Sequence, residues 1–270
     1  MDETEPTAFE YHAAAMKARI DKYDLYERTV QAPEGTAEMV ARDYSRLRGK
    51  PARRMREDFA GTAALAAAWC RRNPRNTAVA VDLDPVPLAY GERKHRPGIE
   101  KQLALVRGDV LREHGRGYDL VIAFNYSWLA LRTRDQLRAY FSRVRAALAP
   151  DGIFELDLYG GKGAIEEGEE TTKMRGWTYI WDQQSYDPTT GETRCAIHWK
   201  LRDGRTLRRS FTYHWRLWSL PELWDLFEDT GLKCLEVHNE DDSPVEGSYR
   251  RVKRVPNWDQ WNVKVLAERR

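Results

Sequence analysis

The stretch Arg56-Glu57-Asp58-Phe59-Ala60-Gly61-Thr62-Ala63-Ala64-Leu65, with Val79-Ala80-Val81-Asp82-Leu83-Asp84-Pro85 after it, decides how this chain is read. The first segment is a strand end, a tight turn of small residues and the start of an alanine-rich helix. Small residues let a backbone approach a ligand closely, and an acid at such a turn can receive a ligand ammonium. The second segment is an apolar run closing on a carboxylate, about 20 residues after the turn, which is the arrangement that grips two ribose hydroxyls. The plainer alternative is an ordinary strand-to-helix turn, with Asp82 capping a helix; Asp84, ahead of Pro85, is the better cap.

Outward from these segments, short strand-like runs alternate with helical ones. Strands are expected near residues 54–58, 78–82, 103–107, 120–124 and 153–158, the pattern of a parallel sheet with crossover helices. The first is unusually polar for a buried strand, with Arg53, Arg54 and Arg56. Thr133 and Gln136 form a capping box for a helix whose stripe is Leu137, Tyr140, Phe141, Val144 and Leu148, closing at Pro150-Asp151-Gly152. Ligands of such sheets lie beyond the carboxyl ends of the strands. Two further strand ends therefore matter. Gly108-Asp109-Val110 can offer a carboxylate and a backbone N–H to a purine edge, and Phe124-Asn125-Tyr126-Ser127 would border a reacting group.

From Trp177 to Leu217 the period changes to two, with turns at residues 187–191 and at Asp203-Gly204. This predicts an antiparallel meander inserted in an α/β protein. Eight of the ten tryptophans lie from Trp177 onward, so this insert and the tail differ in chemistry from the front half. A helix capped by Ser219 and Glu222 follows, then strands at residues 233–238 and 262–267, the last expected antiparallel beside the fifth to complete seven strands. Ahead of the sheet, residues 9–44 read as helices with a stripe through Met16, Ile20 and Tyr23, broken at Ala32-Pro33-Glu34-Gly35.

Composition excludes several classes. Lys and Arg total 44 against 42 Asp and Glu, a balance of +2 that announces neither nucleic acid nor an anionic membrane as partner. The longest uncharged stretches, residues 59–70 and 120–131, fall far short of the roughly 20 residues a membrane helix needs. The acidic, polar opening carries no export signal, which gives the expectation of a soluble, cytoplasmic protein. Three dispersed cysteines fit neither a disulfide framework nor a metal site.

On these motifs the chain resembles the class I S-adenosylmethionine-dependent methyltransferases. The likeness covers about residues 51–159 by motif and the remainder by element order. Glu57-Asp58-Phe59-Ala60-Gly61-Thr62-Ala63 looks like the family's glycine-rich first motif, and the run REDFAGTA is similar to a subgroup in which REDF-x-GTA replaces ExGxGxG. Asp82, followed by Leu83, looks like the ribose-binding acid, Gly108-Asp109-Val110 like the adenine loop, and Phe124-Asn125-Tyr126 like the fourth motif. The chain departs from the wider family at Phe59 and Ala63, where glycines are expected, which leaves the acidic contact open between Glu57 and Asp58. With one glycine in the turn, the GxGxxG that a nicotinamide dinucleotide needs is missing.

The resemblance implies a Rossmann-like fold, S-adenosylmethionine as cofactor and S-adenosylhomocysteine as product. It divides the chain into an N-terminal helical lid (1–50), a cofactor-binding core (51–160), a meander cap (161–217) and a C-terminal completion of the sheet (218–270). Tyr23, Tyr26 and Arg28 sit where related enzymes close over the methionine end of the cofactor; packing against the sheet is the alternative. A sulfonium is already an activated donor, so few catalytic residues are needed. Candidates are Tyr126 and Tyr159 from the core and, on the polar face of the meander, His198, His214 and Arg216, with Arg216 placed to hold an anionic acceptor. The plainer reading of that polar set is a solvated sheet face. The basic clusters at residues 205–209 and 250–254 read as solvated surface. The expected acceptor is a small molecule enclosed by the aromatic insert. A protein or RNA acceptor and a non-catalytic binder are the alternatives, and an exposed aromatic meander could join two copies.

Overall fold

The computed structural model describes residues 20–241 and 248–270. Met16 and the rest of the expected leader before Ile20 lie outside the described residues. Helices α1 (Lys22–Val30) and α2 (Pro33–Arg48) come first, separated by Gln31 and Ala32, so that Pro33, Glu34 and Gly35 of the predicted break form the first turn of α2. The core then alternates β1 (Arg54–Asp58), α3 (Ala64–Arg72), β2 (Thr77–Asp82), α4 (Pro85–Lys94), β3 (Leu103–Arg107), β4 (Tyr118–Ala123), α5 (Arg134–Ala147) and β5 (Leu148–Gly160). Strands β6 (Gly168–Lys173), β7 (Trp177–Asp187), β8 (Glu192–Leu201) and β9 (Thr206–Arg216) follow. The chain closes with α6 (Leu220–Thr230), β10 (Leu232–Glu240), β11 (Tyr249–Val252) and β12 (Trp261–Arg269).

The main sheet has the order β11-β10-β12-β5-β4-β1-β2-β3. Strands β1 to β5 pair in parallel, and β12 runs antiparallel against β5, as the sequence predicts. Two corrections concern strand number. The sheet has eight strands, because β11 adds to the free edge of β10. The meander has four, in the order β6-β7-β8-β9, because Gly168–Lys173 pairs with β7. Neither strand carries apolar alternation: β6 is GEETTK and exposed throughout, and β11 is the four-residue YRRV.

Strand order reverses between β1 and β4, whose carboxyl ends lie side by side, Glu57 opposite Ile122. The polar β1 works by alternation. Met55 and Glu57 face α3, while Arg56 and Asp58 face α5, where Arg56 Nη2 donates to Asp58 Oδ2 at 2.8 Å and Tyr140 Oη donates to the same oxygen at 3.0 Å. Helix α5 starts on its predicted capping box and buries Leu137, Tyr140, Phe141 and Val144 completely. Each such side chain contributes about 1.5–3 kcal/mol.

Candidate active site

The first turn keeps a glycine-like backbone without the glycines. Phe59, Gly61 and Ala63 have φ of 57°, 54° and 58°, the left-handed region that costs an L-residue about 1–2 kcal/mol. Packing holds them there: the Phe59 ring meets Tyr140 edge-on at 5.6 Å, and Ala63 is fully buried. Gly61 N–H donates to Asp82 Oδ2 at 2.7 Å, and Ala60 N–H to the Val81 carbonyl at 3.0 Å, so the turn is fastened to the end of β2. Helix α4 presses on it so closely that a Cβ at Gly91 would lie 2.1 Å from the Thr62 carbonyl oxygen.

Glu57 and Asp58 have different environments. Asp58 is buried in its bonds to Arg56 and Tyr140. Glu57 accepts from Ala66 N–H at 2.9 Å on the opposite face, and burial pushes its carboxyl up to about 8. The Asp82 carboxylate accepts from Gly61 and Asp84 N–H, and burial raises its proton affinity too. Beside it Leu83 is 69% exposed, an apolar shelf with no protein over it. On the neighbouring strand Gly108 N–H donates to the Asp82 carbonyl at 2.9 Å, Asp109 is exposed and Val110 is buried. Thus Gly61, Asp82, Leu83 and the Gly108–Val110 loop converge on one rim. A carboxylate with spare lone pairs beside an uncovered apolar surface fits a nucleoside.

At the ends of β4 and β5 lies a residue that sequence reading missed. Asn125 and Tyr126 are consecutive left-handed residues, φ 59° and 56°, and one carboxylate clasps both: Asn125 N–H donates to Asp157 Oδ2 at 2.6 Å and Tyr126 N–H to Asp157 Oδ1 at 2.9 Å. Burial pushes Asp157 up to about 7. Its only sequence signal is an acid inside the apolar run FELDLYG. Tyr126 Oη donates to Asn262 Oδ1 at 3.0 Å, and Asn262 Nδ2 to Glu240 Oε2 at 2.6 Å.

Tyr126 and Asp157 open on a cavity of about 1040 Å³ between the two sheets. Phe124, Asn125, Tyr159, Tyr26 and Arg28 also line it. Tyr26 packs on Phe211 at 4.9 Å, and the Arg28 guanidinium lies 4.5 Å over Trp177. Tyr23 is instead turned between Tyr90 and Phe211. A second unforeseen residue anchors α1: Glu27 accepts from Thr62 Oγ1 at 2.6 Å, His95 Nε2 at 2.6 Å and Lys94 Nζ at 2.8 Å. Burial opposes its charge, yet these three bonds hold the carboxyl down at about 2.

The meander turns its aromatic face to this cavity, through Trp181, Tyr213 and Trp215, and this corrects the placement of the three polar candidates. His198, His214 and Arg216 lie off the cavity. His198 Nδ1 accepts from Arg209 N–H at 2.8 Å, so its Nε2 donates to Asp182 at 3.1 Å; Glu169 is nearby, but neither ring nitrogen is left to bind a metal. His214 is engaged with Glu192 and Arg132, and Arg216 pairs with Glu222 while stacking 3.7 Å over Trp218. Nor is the meander an exposed aromatic face, since its rings are turned inward or covered by α1.

Residues 60–154 match the family model described as a methyltransferase domain. The fold is that of the class I methyltransferases. An S-adenosylmethionine-dependent methyltransferase from Clostridium acetobutylicum superposes with a TM-score of 0.69 at 17% identity, over 96% of this chain and 98% of that one. An amino pentose methyltransferase from Micromonospora echinaspora gives 0.63 at 19%, over 97% and 99%. A sugar N-methyltransferase from Streptoalloteichus gives 0.65 at 18%, over 100% and 98%. No curated protein matches the chain significantly. Among the described residues no helix is long and apolar enough to cross a membrane.

Proposed function

We propose that this methyltransferase-fold protein is an enzyme that transfers the methyl group of S-adenosylmethionine to a small molecule bound in the cavity between the sheets. When bound, the cofactor supplies a methyl group activated by its sulfonium, with S-adenosylhomocysteine as the product. The observation that carries this reading is Asp82 at the end of β2: a carboxylate for the ribose diol, flanked by the uncovered Leu83 for the base and by Asp109 and Val110 for the adenine edge. Glu57 is buried without a cationic partner among the described residues, so it is the acid suited to the methionine ammonium, while Asp58 is spent on Arg56.

The division of labour follows. Residues 51–160 hold the cofactor, 218–270 complete their sheet, 161–217 roof the acceptor, and the helices before residue 50 close over both. A concave site between two sheets supports a small acceptor over a macromolecule, and two structures of this fold are of an amino pentose methyltransferase and a sugar N-methyltransferase. Three unpaired cysteines suit a reducing, cytoplasmic setting.

Calorimetry with S-adenosylmethionine tests the reading. Wild-type protein is expected to bind it, and Asp82→Ala to bind at least about tenfold more weakly, the loss of a charge-assisted contact of roughly 1.5–3 kcal/mol. Unchanged affinity in a folded Asp82→Ala protein overturns the ribose assignment. Incubation with labelled cofactor and fractionated metabolites then identifies the acceptor.

A further inference from the structure

The acids at the aromatic wall of the cavity lack counter-ions. Asp157 accepts only hydrogen bonds from neutral groups, as does the side chain of Glu240 through Asn262, and among the described residues neither forms an ion pair. The cavity's lysine, Lys264, is committed to Asp43 and to Glu155 at 3.3 Å, and Arg28 to Trp177 and Asp24. Arg42 lines the cavity from an exposed position on α2, away from the aromatic wall, where the charged side chains acting on the Tyr126 hydroxyl are Asp157 and Glu240. Facing this acidic pole are rings packed edge-on and tilted. Centroids are 4.8 Å apart for Tyr126 and Tyr159, 4.4 Å for Tyr213 and Trp215, and 5.9 Å for Trp181 and Trp215.

We infer that the acceptor is an amine, held as its ammonium between the rings of Tyr159, Trp181, Tyr213 and Trp215 and the carboxylate of Asp157. The inference rests on the reading of this cavity as the acceptor site. Ring faces attract a cation, and most strongly where water is excluded. A buried carboxylate without a counter-ion is costly, so a ligand that brings a positive charge is favoured over a neutral isostere of the same shape. An anion is disfavoured at this pole, because the guanidinium once expected to receive it, Arg216, points away to Glu222. The same carboxylate suits the chemistry. An amine must lose a proton before its lone pair is available, and Asp157, whose proton affinity burial already raises, lies where that proton leaves.

Benzyltrimethylammonium, benzyl alcohol and benzoate are cationic, neutral and anionic probes that share one ring, and the cation cannot itself be methylated. Each is titrated into the full-length protein and read by calorimetry and tryptophan fluorescence. The cation is expected to bind at least about tenfold more tightly than the other two. Tyr213→Leu and Asp157→Asn should each weaken it about tenfold. Equal affinity for the three probes, or preference for benzoate, overturns the inference while leaving a normal cofactor isotherm intact. One-for-one displacement of the cation by S-adenosylmethionine also overturns it, since the pole would then belong to the cofactor. A protein that selects the cation but does not bind S-adenosylmethionine overturns the cofactor reading instead.

Discussion

Glu57 and Asp58 are adjacent carboxylates with opposite duties, because a strand sends successive side chains to opposite faces. Asp58 neutralises a buried arginine. Asp58→Asn is therefore expected to destabilise the fold by about 3–5 kcal/mol in a urea titration, since it leaves Arg56 without its counter-charge. Glu57→Gln keeps an acceptor for Ala66 N–H and removes a charge that burial disfavours, so it should not destabilise the protein at pH 8 and should weaken S-adenosylmethionine binding about tenfold. The reverse pattern, a tolerated Asp58→Asn with lost binding, would exchange their roles. Phe59 shows why the residue type in this turn could not be read as a glycine motif alone: the left-handed backbone is present, but ring packing on Tyr140 compensates for it.

Among the elements, α1 owes its position to one carboxylate. Glu27 joins it to the first turn through Thr62 and to the end of α4 through Lys94 and His95, while Trp177 Nε1 donates to Thr29 from the meander. Glu27→Gln should speed hydrogen exchange across Lys22–Val30, leave α5 unchanged and weaken cofactor binding several-fold; uniform exchange in α1 would show that its packing suffices. The capped helices and the strands at residues 54–58 and 103–107 were legible because capping boxes and alternation act locally. Strand β6 was not, since its residues owe their pairing to β7 and bury nothing. The meander's aromatic stripe was equally legible, but its direction was not. Period two says which residues share a face, and not whether that face meets a core, solvent or a ligand. That gap placed His198, His214 and Arg216 at the acceptor and hid Asp157, an acid in an apolar run whose role depends on a loop 31 residues earlier.

For the molecule as a whole, buried acids make stability depend on pH in a definite direction. Burial raises Glu57 to about 8 and Asp157 and Glu155 to about 7, so the folded protein holds protons that the unfolded chain releases. That contribution is complete below the ordinary carboxyl range and is lost as pH rises towards 8. Glu27 and Glu236, held at about 2, act in the opposite sense and lose theirs as pH falls from the ordinary range towards 2. The ligand-free melting temperature should accordingly peak near about pH 5 and decline towards pH 8. Saturating S-adenosylmethionine should flatten the decline, and a melting temperature that climbs from pH 5 to 8 would contradict these burial effects. The eighth strand bears on the same scale. A sheet margin is a template on which another copy can polymerise, and β11 covers that of β10 with only four residues, Arg250 and Arg251 among them. A newcomer aligning there would meet two guanidinium groups on a ribbon too short to zip along, so this flank of the molecule discourages fibre growth.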